Sequence, residues 1–158
     1  AENYLVDLIA NQIKIYNVFL IYFKGNNYYS KILKDKGVVL FKINFPNKKI
    51  ISKFSKNKVS IITSIAMFYD LQDPTSFVKS IKNILDFKGI WVFELSYIMT
   101  MLKLNSFDTI CHEHIEYYSL TPIKLIADMS GFKIIDIKFN DCNGGSFRIY
   151  FAKKCACK

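Results

Sequence analysis

A strand–helix–strand pattern in the middle of the chain limits the possible fold most strongly. Residues 59–64 form a short β-branched run that is typical of a buried parallel strand. Asp73 and Pro74 indicate the start of a helix, because Asp caps a first turn and Pro suits the first helical position. The helix is predicted to end at Gly89, and residues 90–94 are predicted as the next strand. Two strands joined in this way form a right-handed parallel unit. The apolar residues at helical spacing are Phe77, Val78, Ile81, Ile84 and Leu85.

The pattern continues toward the C-terminus with a helix and a β-hairpin. Thr121-Pro122 predicts a second helix start, and Gly131 predicts its C-cap. Residues 132–139 and 146–151 are predicted strands, with a turn over residues 141–145 that Gly144 and Gly145 form. A parallel sheet that ends in an antiparallel hairpin predicts an α/β, doubly wound, mixed sheet.

The first 58 residues have weaker patterns. Residues 4–9, 17–23 and 38–43 are predicted strands, and residues 27–35 a predicted helix. The very basic segment 48–58 is interpreted as a solvated helix that leads into the strand at Val59. Since neither an internal repeat nor a long linker occurs, we expect one domain over residues 1–158.

Charge and hydropathy exclude several classes of protein. The net charge is +9, but the basic residues are nearly all Lys, and Arg148 is the single Arg. Because base and phosphate recognition favours Arg, we do not expect a nucleic-acid partner. The longest apolar run, near residues 17–23, is far shorter than the about 20 residues that cross a bilayer. The N-terminal segment carries Glu2 and Asp7 instead of a signal-peptide pattern, so we expect a cytoplasmic protein without a membrane partner.

The cysteines do not predict a disulfide framework or a zinc site, and we interpret them as reduced thiols. They lack paired zinc-finger spacing, and nothing else indicates secretion. The four residues are Cys111, Cys142, Cys155 and Cys157.

The segment 108–119 holds the highest density of reactive side chains. It contains both histidines, whose pKa range suits proton transfer near neutrality, and carboxylates that could orient them. The segment follows the strand that ends at Glu94, and ligands of open α/β sheets bind at the carboxyl ends of strands. Three other interpretations stay open: surface histidines, a metal site although zincin spacing is absent, and core tyrosines. The reactive residues are Cys111, His112, Glu113, His114, Tyr117 and Tyr118.

Several motifs resemble those of sugar C-methyltransferases, in the order and spacing of that family. The resemblance covers roughly residues 38–152. The matching segments are residues 61–74 (IITSIAMFYDLQDP), 93–97 (FELSY), 101–102 (ML), 105–119 (NSFDTICHEHIEYYS) and 143–148 (NGGSFR).

The resemblance implies a class I methyltransferase fold, S-adenosylmethionine as cofactor, and a nucleotide-linked keto-sugar as substrate. In this family a base removes a proton from the carbon next to the ketone, and the enolate attacks the donor methyl group. His114 corresponds to that base, and Glu113 would orient it or hold substrate hydroxyls. His112 and Tyr117 complete the expected catalytic group. A Tyr often stands at the position of Cys111, so its role would pass to Tyr117, Tyr97 or a water molecule.

The resemblance also implies binding residues. The donor would be bound by Asp7 and Asn11 near the N-terminus and by Ser64, Ile65 and Ala66 at the end of the strand that starts at Val59. The last three residues could equally form an ordinary buried strand end, and Glu94 could satisfy a loop. The expected substrate-binding residues are Glu94, Tyr97, Cys111 and Asn143.

The N-terminal part departs from the family pattern. Ile9 and Ile13 stand where family members carry glycines that let the backbone approach the donor. The first approximately 40 residues are therefore divergent, and the family's N-terminal zinc region and C-terminal domain are not predicted in this sequence. The alternative to an active enzyme is a truncated, inactive remnant of the methyltransferase fold or a binding module.

Overall fold

The computed structural model describes the backbone of residues 19–21 and 39–41, and residues 45–154 in full. The chain divides into two compact units, Ala1–Asn47 and Lys48–Lys158. In the first unit, β1 (Phe19–Ile21) pairs in parallel with β2 (Val39–Phe41). These strands lie inside the predicted strands 17–23 and 38–43. The predicted strand 4–9 and helix 27–35 lie outside the described residues.

The second unit contains a four-stranded mixed sheet with the order β3-β4-β6-β5. β3 and β4 are parallel, whereas β6 pairs antiparallel with both β4 and β5. The predicted mixed α/β sheet with a terminal hairpin is therefore confirmed. In chain order its elements are α1 (Lys48–Lys56), β3 (Val59–Ile65), α2 (Pro74–Ile84), β4 (Leu85–Ser96), α3 (Ile98–Leu104), α4 (Leu120–Met129), β5 (Phe132–Asn140) and β6 (Ser146–Lys153).

Helix α2 begins as predicted but ends earlier. The Asp73 carboxylate accepts a hydrogen bond from the Ser76 N–H at 2.9 Å, and Pro74 occupies the first turn. The predicted end at Gly89 is wrong, because Leu85 already has an extended backbone (φ −69°, ψ 140°) and starts β4. Gly89 instead lies inside β4, where an added Cβ would lie 2.9 Å from the Ser60 carbonyl oxygen. Position 89 therefore requires a glycine, because a side chain there would prevent this close approach between the strands.

Two further predictions need correction. Helix α1 is not fully solvated, because Ile50 and Phe54 are buried on one face. β3 is not buried on both faces, because it is the edge strand of the described four-stranded sheet and Ile61 is 64% exposed. Helix α4, in contrast, ends at the predicted place, where Gly131 has a positive φ of 81°.

An aromatic core fixes the sheet against its helices. α2 contacts β4 and α4 contacts β5. Trp91 of β4 stacks on Phe151 of β6, with ring centroids 4.8 Å apart, and Phe93 packs edge-on against Phe68, 5.0 Å away. Phe68 belongs to the loop after β3, so the core anchors that loop. No helix in residues 45–154 is long and apolar enough to cross a membrane.

Candidate active site

Three loops meet at one edge of the sheet. The parallel strands β3 and β4 end side by side there, with Ile65 opposite Glu94. The β5–β6 turn lies at the same edge, because the Tyr97 N–H donates to the Gly145 carbonyl at 3.0 Å. Ligands of open α/β sheets bind at this edge. The described structure therefore has a candidate site where the carboxyl ends of β3 and β4 meet.

The reactive segment 108–119 is tied to the loop after β3. The carbonyl oxygen of Tyr69 accepts hydrogen bonds from the N–H groups of Ile115, at 2.9 Å, and Glu116, at 3.2 Å. The Ile98 N–H donates to the Tyr118 carbonyl at 3.2 Å and ties the segment to the start of α3. These contacts bring the segment to the edge at which the sequence predicted it.

His114 has one ring nitrogen fixed by the main chain. Its Nδ1 lies 2.8 Å from the carbonyl oxygen of Thr109. A carbonyl can only accept a hydrogen bond, so Nδ1 carries the proton and the neutral ring has its lone pair on Nε2. The Tyr117 hydroxyl donates to the same carbonyl at 3.4 Å. Nε2 is therefore the nitrogen that can act as a base.

Two tyrosine rings surround the imidazole. The Tyr69 ring centroid lies 4.0 Å from that of His114, with the planes inclined by 47°. Tyr117 lies edge-on at 6.1 Å. Tyr69 was not among the predicted site residues. It comes from the other loop, and only tertiary contacts bring the two rings together.

The carboxylates and the thiol form one electrostatic neighbourhood around this ring. Asp70 is exposed, but partial desolvation of its carboxylate raises its pKa, His114 opposes the shift, and Glu113 adds to it. Burial also raises the pKa of Tyr69, and Asp70 and Cys111 add to it. Tyr69 and Asp70, from the loop after β3, therefore lie close enough to the predicted residues Cys111, Glu113 and His114 to interact with them electrostatically.

Glu113 was predicted to orient His114, but the hydrogen bond of the His114 Nδ1 does not support this role. The partner of Nδ1 is the Thr109 carbonyl. His112 and Glu113 are both exposed.

Ser64 and Glu94 have partners within the protein. The Ser64 hydroxyl is buried and accepts a hydrogen bond from the Trp91 indole N–H at 3.0 Å. Glu94 is 7% exposed, and its carboxylate accepts a hydrogen bond from the Arg148 Nε. Both side chains therefore have polar partners within the sheet. The Ser64 contact fits a buried strand end, whereas Glu94 pairs with Arg148 of β6 and not with a loop.

The β5–β6 turn presents Asn143 at this edge. Asn143 is exposed and has a left-handed backbone, with φ 51°. Gly145, at φ 119°, touches α3, because an added Cβ would lie 2.4 Å from Thr100 Cγ2. Tyr97 packs between Phe139 and Phe147, with centroids 5.4 and 5.0 Å away.

Part of the predicted donor site is described. Asp7 and Asn11 lie outside the described residues. Ile65 and Ala66 lie at the end of β3, where Ala66 has a left-handed φ of 51° and donates its N–H to the Glu94 carbonyl at 2.9 Å. Within residues 45–154, no three His, Cys, Asp or Glu side chains form a group that could hold a metal ion.

Comparisons with known proteins agree with this fold. A protein-family model described as "Methyltransferase domain" matches residues 1–137. Over 68 residues the chain is 35% identical to the C-methyltransferase NovU of Streptomyces niveus, a match that covers 43% of this chain and 16% of that protein.

Two solved structures share the fold. An S-adenosylmethionine-dependent methyltransferase from Clostridium acetobutylicum is similar with a TM-score of 0.65 and 12% identity, over 89% of this chain and 76% of that chain. A SAM-dependent methyltransferase from Aquifex aeolicus has a TM-score of 0.64 and 16% identity, over 95% and 74% of the two chains. The predicted Rossmann-like fold is thereby confirmed.

Proposed function

The chain belongs to the methyltransferase domain family, and on this premise we propose that it is an S-adenosylmethionine-dependent C-methyltransferase that acts on a nucleotide-linked keto-sugar. The main supporting observation is the hydrogen bond from His114 Nδ1 to the Thr109 carbonyl, which leaves Nε2 as a base at the carboxyl edge of the sheet. The partial likeness to a C-methyltransferase and the motifs of residues 105–119 support transfer to carbon.

The described residues fit the proposed donor. Ala66 has an unusual left-handed backbone at the end of β3, and such conformations concentrate at ligand sites. Its small side chain, with that of Ile65, would contact the donor, while the buried Ser64 would hold the strand end through Trp91. When bound, S-adenosylmethionine supplies an electrophilic methyl group.

His114 would perform the proton transfer. Its Nε2 would accept the proton from the carbon next to the ketone and so form the enolate. A proton α to a carbonyl needs only a modest base when donors stabilise the enolate oxygen. The Thr109 carbonyl would hold Nδ1–H throughout, so the ring would not rotate as Nε2 gains its proton.

The remaining predicted residues would position the sugar. Glu113 and His112 are exposed on the same turn, where they can reach substrate hydroxyls. Tyr117, already close to the Thr109 carbonyl, would support the base. The other proposed substrate contacts at this edge are Tyr97, Cys111 and Asn143. Glu94, also predicted to bind substrate, would contribute through its pair with Arg148.

Two linked measurements test the proposal. Calorimetric titration with S-adenosylhomocysteine should show binding in the micromolar range. Methyl-labelled S-adenosylmethionine should then label a carbon next to the ketone of a nucleoside-diphosphate 4-keto-6-deoxy sugar, as located by NMR.

The two measurements distinguish a failure to bind the donor from a failure to methylate the sugar. Donor binding without sugar methylation would overturn the proposed substrate class. No donor binding by a folded chain would support the alternative, an inactive methyltransferase fold or binding module, which the Ile9 and Ile13 substitutions motivate.

A further inference from the structure

We propose that Tyr69 is the residue that positions His114, through its ring and through its main-chain carbonyl. The catalytic consequence rests on the proposed function, whereas the positioning itself does not. Tyr69 comes from the loop after β3, so this role would connect the two strand ends that form the site.

The Tyr69 ring packs against the imidazole ring of His114. The Tyr69 and His114 centroids are 4.0 Å apart, closer than any edge-on pair would allow, and the planes are inclined by 47°. The Thr109 carbonyl holds one edge of the imidazole through Nδ1. With one edge and one face held, the ring has a fixed direction for Nε2.

The main chain of Tyr69 also holds the backbone that follows His114. The Tyr69 carbonyl accepts the N–H groups of both Ile115 and Glu116, the two residues that follow His114. One residue therefore holds the backbone after His114 as well as its ring. The substitution of Tyr69 by another residue keeps these main-chain bonds, so mutation tests the ring separately.

The loop that carries Tyr69 is itself firmly anchored. The adjacent Phe68 is 1% exposed and packs against Phe77, Phe93 and Tyr118, with centroids 5.9, 5.0 and 5.4 Å away. A short 3-10 turn, Phe68–Asp70, follows the strand end. Tyr69 is thus placed against His114 from a loop whose neighbouring residue, Phe68, is packed in the core, as a positioned base requires.

Activity assays should separate the ring from the hydroxyl. Tyr69→Leu should lower kcat about tenfold or more and leave KM within about twofold, because misplaced groups react slowly although substrate still binds. Tyr69→Phe keeps the ring and should retain kcat within about threefold. Equal loss in both variants would overturn positioning by the ring and indicate a role of the hydroxyl.

NMR gives a readout that does not depend on activity. The chain has two histidines, and the exposed His112 serves as the reference. The His114 ring protons should show an aromatic ring-current shift in the wild type and in Tyr69→Phe. Most of this shift should be lost in Tyr69→Leu, where the more distant Tyr117 ring remains. Unchanged His114 signals in Tyr69→Leu would overturn the proposal. If the chemical shifts change as expected but neither the wild type nor a variant transfers methyl groups, the proposed function is wrong. The positioning of His114 by Tyr69 is then still supported.

Discussion

The Nδ1 of His114 lies 2.8 Å from the carbonyl oxygen of Thr109, five residues earlier in the same segment. A main-chain acceptor thus selects the tautomer of the proposed base. Carboxylates commonly perform this task, and the neighbouring Glu113 was the natural candidate from sequence. Because a carbonyl has no titratable proton, this orientation does not depend on the ionisation of a partner.

Ser64→Ala should destabilise the protein by about 1–3 kcal/mol, because it leaves the buried Trp91 indole N–H without its acceptor. Urea unfolding monitored by Trp fluorescence measures this difference. Ser60→Ala, an exposed position on the same strand, should change the free energy of unfolding by less than about 0.5 kcal/mol. Equal effects of the two substitutions would show that the Ser64 hydroxyl does not stabilise the sheet.

Gly145→Ala should destabilise by about 2 kcal/mol or more. Its φ of 119° is unfavourable for a side chain, and the new Cβ would lie 2.4 Å from Thr100 Cγ2. Gly144→Ala, with its nearest neighbour 3.9 Å away, should cost only the backbone term of about 1–2 kcal/mol. Thermal unfolding should also show partial rescue of Gly145→Ala by Thr100→Ala. Without rescue, the clash with α3 is not the cause.

Tyr118→Phe should leave stability unchanged or raise it by about 1 kcal/mol. Among the described residues, the buried Tyr118 hydroxyl makes no well-aligned hydrogen bond, and burial followed by the nearby Glu116 raises its pKa. Tyr117→Phe removes a hydrogen bond to the Thr109 carbonyl and should destabilise by about 0.5–1.5 kcal/mol. Denaturant unfolding at pH 7 compares the pair. If Tyr118→Phe lost more stability than Tyr117→Phe, the Tyr118 hydroxyl would make a stabilising hydrogen bond, and the prediction would be wrong.

Asp70→Asn should gain stability relative to the wild type as the pH rises. Partial desolvation raises the pKa of the exposed Asp70 above its ordinary value of 3.8, His114 opposes this shift, and Glu113 adds to it. A carboxyl group with a raised pKa contributes stability below its unfolded pKa, and that contribution is lost as the pH rises through the folded pKa. The free energies of unfolding of the two proteins should be measured from pH 3 to pH 6. The Asn variant should become more stable relative to the wild type as the pH rises. A shift toward the wild type would contradict the direction of the pKa change.

Local signals predicted much of the fold. Asp73-Pro74 marked the start of α2 correctly, because an N-cap and a first-turn Pro act within one turn of the chain. Gly131 likewise marked the end of α4, where its positive φ was needed. The Gly89 prediction was wrong, because this glycine serves a contact with Ser60, almost 30 residues earlier, that no local pattern records.

At the candidate site, too, local sequence patterns were predictive, whereas contacts between distant residues were not. The histidine segment was conspicuous by its composition, and the strand end at Glu94 predicted its edge of the sheet. Tyr69 was missed because its role follows from a ring contact between separate loops. Thr109 was missed because its contribution is a main-chain carbonyl, which every residue type has.

Exchange of the substrate proton with solvent measures proton removal by His114 separately from methyl transfer. With S-adenosylhomocysteine present, the wild type in D₂O should replace the proton next to the ketone of a nucleoside-diphosphate 4-keto-6-deoxy sugar by deuterium. His114→Gln should slow this exchange by about a hundredfold or more, the usual contribution of a general base. Lys124→Gln, an exposed change on α4, should exchange at the wild-type rate. Unchanged exchange in His114→Gln, with both variants folded, would show that His114 is not the base.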